Sequence, residues 1–113
     1  MKGKRVILEM GSGNDLHGGD YTKAAVRAVE DAIHHSSLTF IRTLGIDPRM
    51  MQVEVTIGVP RPERVDKDAV LAVLPHGTGT VRVVEGGLEI ANDAGTNSTV
   101  IANAAAVVRL DIP

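Results

Sequence analysis

The chain has no cysteine and no tryptophan, and Tyr21 and Phe40 are its only aromatic residues. Without thiols there is no disulfide, no thiolate metal ligand and no cysteine nucleophile. With no basic tract and almost no ring surface for bases to stack on, nucleic-acid binding is not expected. No apolar run approaches the roughly 20 residues of a membrane span, so no membrane partner is expected either. The basic start, Lys2 to Arg5, has the charge of a signal peptide, but Glu9 interrupts the apolar run that follows it. A cytoplasmic location is the expectation.

What is present suits one small domain of 113 residues with net charge −2 and acids and bases intermixed. The core must come from Val, Ile, Leu, Ala and Met. Alanine contributes little burial per residue, so such a domain gains by burying surface against copies of itself, and self-association is expected.

Chemistry-bearing residues concentrate between Glu9 and Lys23, where Gly11, Gly13, Gly18 and Gly19 surround Asn14, Asp15 and His17. Glycine in that density implies left-handed backbone or a close approach. Read as a loop between a strand and a helix, the stretch suggests a pocket with Asp15 and His17 as acid/base pair, since alternate residues of an extended segment share a side. Gly11, Gly13, Asn14, Gly18, Asp20, Lys23 and Arg27 are the candidate binding residues. Asp15 and His17, joined by Asp20 or Glu9, are candidate ligands for a divalent metal, although one Asp-x-His supplies too few donors alone. Equally, both side chains would serve to hold the loop's own amides. The opening helix end favours anions, with Lys23 and Arg27 as cations. Neither phosphate motif is present: Leu16 stands where the dinucleotide pattern needs glycine, and Lys23 follows Thr22 instead of preceding a hydroxyl residue. Ser12, Thr22 and Lys23 are candidate nucleophiles near His17. Arg61 and Arg64 are candidates to reach an anion across a subunit boundary; His34, His35 and His76 read as surface or turn residues.

Elsewhere the spacing predicts a strand over 5–10. A helix capped by Asp20 then follows, with Ala25, Val29, Ile33, Phe40, Ile41 and Leu44 on its apolar stripe and Gly45 at its end. Strict alternation through Val53, Val55, Ile57 and Val59 predicts a half-buried strand. A short helix capped by Asp66 follows. Strands at 80–84 and 88–91 flank Glu85-Gly86-Gly87, a hairpin signal, and the last strand spans 99–112. The order β-α-β-α-β-β-β predicts an α/β (α+β) fold: a single mixed sheet with two helices on one face. The last strand carries Val100, Ala102, Ala104, Ala106 and Val108 on one side, and Ile101, Ala105, Val107 and Leu110 on or near the other. A strand apolar on both sides is normally buried on both, and the second cover is expected from another subunit.

Gly11-Ser-Gly13-Asn-Asp15-Leu-His17-Gly18, followed by Asp20-Tyr-Thr-Lys23-Ala-Ala and Arg27-Ala, resembles the signature of a small family of uncharacterised proteins marked by Gly-x-Gly-x-Asp-x-His-Gly. The likeness runs over essentially the whole chain, and the family has no established activity to carry over. Asp20-Tyr21-Thr22-Lys23 also resembles an Asp-Phe-Thr-Arg segment in one repeat of the ring-opening cyclic amide hydrolases, the cyanuric acid hydrolase and barbiturase group. Those enzymes join three similar units about a pseudo-threefold axis, which implies here a single unit assembling as a trimer or a multiple of three. Their Lys/Ser nucleophilic pair is missing: the matching neighbourhoods read Glu9-Met10-Gly11 and Thr56-Ile57-Gly58-Val59. The first reading is therefore a homo-oligomer that binds or transforms a small polar molecule at a subunit-boundary pocket lined by Gly11–Lys23. The alternatives are a non-catalytic oligomeric scaffold and a cyclic amide hydrolase-like activity.

Overall fold

A computed structural model describes residues 3–16, 18–34, 45–74 and 78–111. Five strands form one mixed sheet: β1 (Lys4–Asp15), β2 (Gln52–Val59), β3 (Thr78–Glu85), β4 (Leu88–Ala91) and β5 (Ser98–Leu110). Their lateral order is β1-β5-β2-β3, with β4 also pairing with β5. β5 is antiparallel to β1, β2 and β4, while β2 and β3 are parallel. Helices α1 (Tyr21–His34) and α2 (Lys67–Leu71) pack together on one face. The architecture is thus the expected α/β sheet with both helices on one side.

The core lies between α1 and the sheet. Alternation in β2 sends Val53, Val55, Ile57 and Val59 inward, where they meet Val100, Ala102, Ala104, Ala106 and Val108 of β5. Leu110 shares this helix-facing side and is buried, because it keeps the parity of Val108; it does not lie with Ile101, Ala105 and Val107. From α1, Ala24, Ala25, Ala28, Val29 and Ala32 are fully buried against this surface. The sequence stripe therefore holds through Val29, with Ile33 packed at its margin. Phe40, Ile41 and Leu44, like His35 and His76, lie outside the described residues.

Two local expectations are corrected. β1 does not stop at Met10; it continues through Gly11 and Gly13 to Asp15, pairing with β5 to Val100. Neither glycine has positive φ. They are glycines because α1 lies directly on them: a Cβ on Gly11 would sit 2.6 Å from the Ala28 carbonyl oxygen, and one on Gly13 equally close to that of Ala24. The second correction concerns Glu85-Gly86-Gly87, which makes no hairpin. β3 and β4 run in the same direction, and the two glycines carry the chain past the end of β2 into the lane beside β5. Gly86 N–H donates to the Val59 carbonyl at 2.9 Å, and a Cβ on Gly86 would crowd the Gly58 Cα at 3.1 Å. The true hairpin joins β4 to β5, where Asn92 Oδ1 accepts from Thr96 and Asn97 N–H.

Among the described residues, no helix lies on the opposite sheet face. Leu8, Met10, Leu88 and Ile90 are 48%, 68%, 53% and 60% exposed there.

Candidate functional site

The polar residues converge where β1 ends, α1 begins and β5 starts. Asp15, the last residue of β1, is the one buried charged side chain among the described residues, at 3% exposure. Its Oδ2 accepts the Asp20 amide at 2.9 Å, and its Oδ1 lies 3.6 Å from Lys23 Nζ. The Asp20 amide holds the Asp15 carboxyl below the ordinary carboxylate range; burial opposes this, and Lys23 and then Arg27 reinforce it. Asp20 itself caps α1, accepting the Lys23 amide at 3.0 Å.

Between them, Gly18 and Gly19 take φ of 98° and 60°, which turns the chain from strand to helix. The start of β5 pins this turn. Asn97 Oδ1 accepts from Gly18 N–H, and Thr99 Oγ1 donates to the Leu16 carbonyl at 3.2 Å. Leu16, itself 56% exposed, and Ile90 border a groove of about 370 Å³ that also touches Asn97, Ser98 and Thr99.

A second polar cluster adjoins on the helix side. Tyr21 O–H donates to Glu89 Oε1 at 2.6 Å, and Ser98 Oγ donates to Glu89 Oε2 at 3.0 Å. The Arg64 guanidinium lies 5.8 Å from the Tyr21 ring centroid. Tyr21 first, then Ser98, Arg61 and Arg64, draw the Glu89 carboxyl downward against the opposing effect of burial, while Glu89 raises the Tyr21 hydroxyl. Sequence reasoning passed over Glu89. Its signal was the alternation Leu88-Glu89-Ile90, which turns Glu89 to the side of its buried partner Val100.

Of the residues singled out from sequence, the structure brings Asp15, Gly18, Asp20 and Lys23 together. Gly11 and Gly13 form the bed for α1. Arg27 Nη1 donates to the Asn14 carbonyl at 2.7 Å and Asp31 Oδ2 accepts the Ser12 amide at 3.0 Å, so both decorate the outer edge of β1. His17 lies outside the described residues. Among the described residues, no three His, Cys, Asp or Glu side chains gather as a metal ion requires. Every buried side-chain nitrogen or oxygen among them has a hydrogen-bond partner. What this arrangement offers a ligand is the half-exposed Lys23 ammonium, beside a carboxylate held ionised and already hydrogen-bonded. That suits recognition of a polar group better than proton abstraction by Asp15.

The family described as Conserved hypothetical protein (Lin0512_fam) matches residues 5–108. A crystal structure titled as an FtsZ-like protein of unknown function from Nostoc punctiforme superposes with a TM-score of 0.86 at 40% sequence identity, covering 99% of each chain. No curated protein is significantly similar.

Proposed function

The chain belongs to the Lin0512 family, and we propose that it works as a homo-oligomer that encloses a site for a small polar molecule beside the Leu16–Lys23 turn. The observation that carries this reading is the bare sheet face with Leu8, Met10, Leu88 and Ile90 exposed on it. Large apolar side chains exposed on an uncovered sheet face favour an interaction there. The described shape agrees: the radius of gyration is 15.3 Å, against about 13 Å for a compact chain near this length. Leu16 and Ile90 connect that face to the groove beside the turn, so copies meeting on the face would close over the groove that Asn97, Ser98 and Thr99 also line. Three copies, or a multiple of three, is the number the resemblance to the cyclic amide hydrolases supplies. The Lys/Ser pair of that chemistry is lacking, so ring opening is not part of the proposal.

Light scattering at micromolar concentration tests the assembly. The wild-type chain gives an oligomer, and Leu8→Glu with Met10→Glu gives a monomer of unchanged fold; a wild-type monomer refutes the reading. Thermal shift against small carboxylates, phosphates and cyclic amides tests the site, because a ligand bound only by the folded state raises the melting temperature. Loss of that rise in Lys23→Ala locates the binding.

A scaffold without ligand is the second reading. It is favoured by the complete hydrogen bonding around Asp15, which leaves that carboxylate occupied with holding the turn. An assembled protein whose melting no compound shifts decides for it.

A further inference from the structure

Just past the end of β2, the segment Arg61-Pro62-Glu63-Arg64 sets two arginines beside the Tyr21–Glu89–Ser98 cluster. Arg61 precedes Pro62, which keeps its backbone out of the helical region, at φ −131° and ψ 83°. The Arg64 amide then donates to the Arg61 carbonyl at 3.0 Å and closes the 3₁₀ turn Pro62–Arg64. Residues three apart in such a turn fall toward one side. Thr22 of α1 ties the turn down: its Oγ1 donates to the Arg64 carbonyl at 3.4 Å and accepts the Asp66 amide at 2.9 Å. The Arg64 guanidinium stands 5.8 Å from the Tyr21 ring centroid. The Glu89 carboxyl is drawn down by Tyr21 first and by both Arg61 and Arg64 after it, so the two guanidiniums reach the same cluster.

Both arginines are exposed, and among the described residues neither guanidinium forms an ion pair or donates a hydrogen bond. The acids of the same segment do not serve them. Glu63, Asp66 and Asp68 border a separate concavity of about 510 Å³ that neither arginine lines. Glu89 already accepts from the Tyr21 and Ser98 hydroxyls.

We propose that Arg61 and Arg64 together bind the carboxylate or phosphate group of a small molecule, within a single chain. A guanidinium presents its N–H groups as a planar fork that fits two oxygens of either group at once. The backbone carrying the pair is held by Pro62 and Thr22, and the Tyr21 ring supports Arg64. Less freedom is therefore lost when an anion binds. The Tyr21 and Ser98 hydroxyl protons are spent on Glu89, which leaves the guanidinium N–H groups as the donors. Glu89 repels an anion from those hydroxyls and keeps it at the arginines. The site goes beyond the reading above, because it uses neither Lys23 nor a second copy of the chain.

Tyr21 reports on the site directly, being the only tyrosine in a chain without tryptophan. Sodium phosphate and sodium succinate are titrated at constant ionic strength against a sodium chloride control, following Tyr21 emission and melting temperature. The wild type responds saturably to at least one of the two, and the tighter one identifies the group recognised. Arg61→Gln and Arg64→Gln, with circular dichroism as fold control, each weaken that binding about tenfold or more. Glu89→Gln tightens it by removing a like charge. Arg5→Gln removes the same charge at the opposite end of the sheet, where Arg5 pairs with Arg109 beside the start of β2, and leaves binding unchanged. Responses no different from chloride, or undiminished binding when both arginines are replaced, overturn the proposal. Loss of binding in Lys23→Ala with both arginine variants unaffected also overturns it, and places the anion at the turn instead. Light scattering plays no part here, so failure of this site and failure of self-assembly are read separately.

Discussion

Gly13 and Ala28 meet backbone to backbone. The Ala28 amide nitrogen occupies the space that a Cβ on Gly13 would need, and the Ala24 carbonyl oxygen would lie 2.6 Å from that Cβ. Gly11 stands in the same relation to Ala32 and Ala28, so two glycines of the strand seat three alanines spaced one helical turn apart. Neither obstacle is a flexible side chain, and relief requires α1 to lift from the sheet. Gly13→Ala and Gly11→Ala are each expected to destabilise by about 3 kcal/mol or to prevent folding. Gly18→Ala meets nothing nearer than 3.8 Å and is strained only by its φ of 98°, a cost of about 1 kcal/mol. Urea unfolding of the three variants checks the ranking, and equal losses would refute it.

Asp15 makes stability depend on acid. Its carboxyl is held down in the folded state, by the Asp20 amide foremost, so the native protein binds this proton less readily than the unfolded chain does. Stability from this source is present above the unfolded pKa and is lost as pH falls through the folded one. Asp15→Asn is expected to cost about 1–2 kcal/mol at neutral pH and to flatten the acid limb, so that the two proteins converge in strong acid. Lys23→Ala, at a half-exposed ammonium, should cost only about 0.5 kcal/mol. Melting temperature against pH for the three proteins is the measurement.

Tyr21 titrates in plain view, because it is the only tyrosine and there is no tryptophan. Phenolate absorbance therefore reports a single group. Glu89 raises its pKa above the ordinary value. A raised folded pKa gives stability that is full below the unfolded pKa and declines as pH rises through the folded one. Glu89→Gln removes the charge and keeps an acceptor, and the Tyr21 transition is expected to move down toward its ordinary position. An unmoved transition would mean that the Tyr21–Glu89 contact is absent in solution.

The sequence was most readable where one cause controls a residue. Alternation in β2 has one cause, burial of one sheet face, and its inward residues were identified correctly. Asp20 and Asp66 follow the rule for helix caps, and both accept first-turn amides. In the sequence Gly11 and Gly13 resemble loop residues, because glycine has two uses, left-handed backbone and close packing. Only the facing Ala24, Ala28 and Ala32, at positions 11 to 21 residues away, decide which. The Gly86-Gly87 step failed for a related reason: a hairpin and a lane change share the same local glycines and differ only in which strand lies alongside. Glu89 was missed because its partners Tyr21 and Arg64 are distant in sequence.

Three residues on the charged side of α1 run along the outer edge of β1. Lys23 reaches Asp15, Arg27 the Asn14 carbonyl, and Asp31 the Ser12 amide, each four residues after the last. An open strand edge invites another strand to pair with it, and this stripe closes the half of the β1 edge nearest the turn. Asp31→Ala frees the Ser12 amide, whose hydrogen exchange should accelerate about fivefold, as expected for one hydrogen bond of about 1 kcal/mol. Arg27→Met keeps the stem but removes the donor, and should leave the Ser12 amide protected while uncovering the Asn14 carbonyl. Amide exchange on both variants separates the two contacts, and the double variant should precipitate more readily on heating than either alone. If Ser12 exchanges at the same rate in Asp31→Ala as in the wild type, the helix does not close this edge in solution.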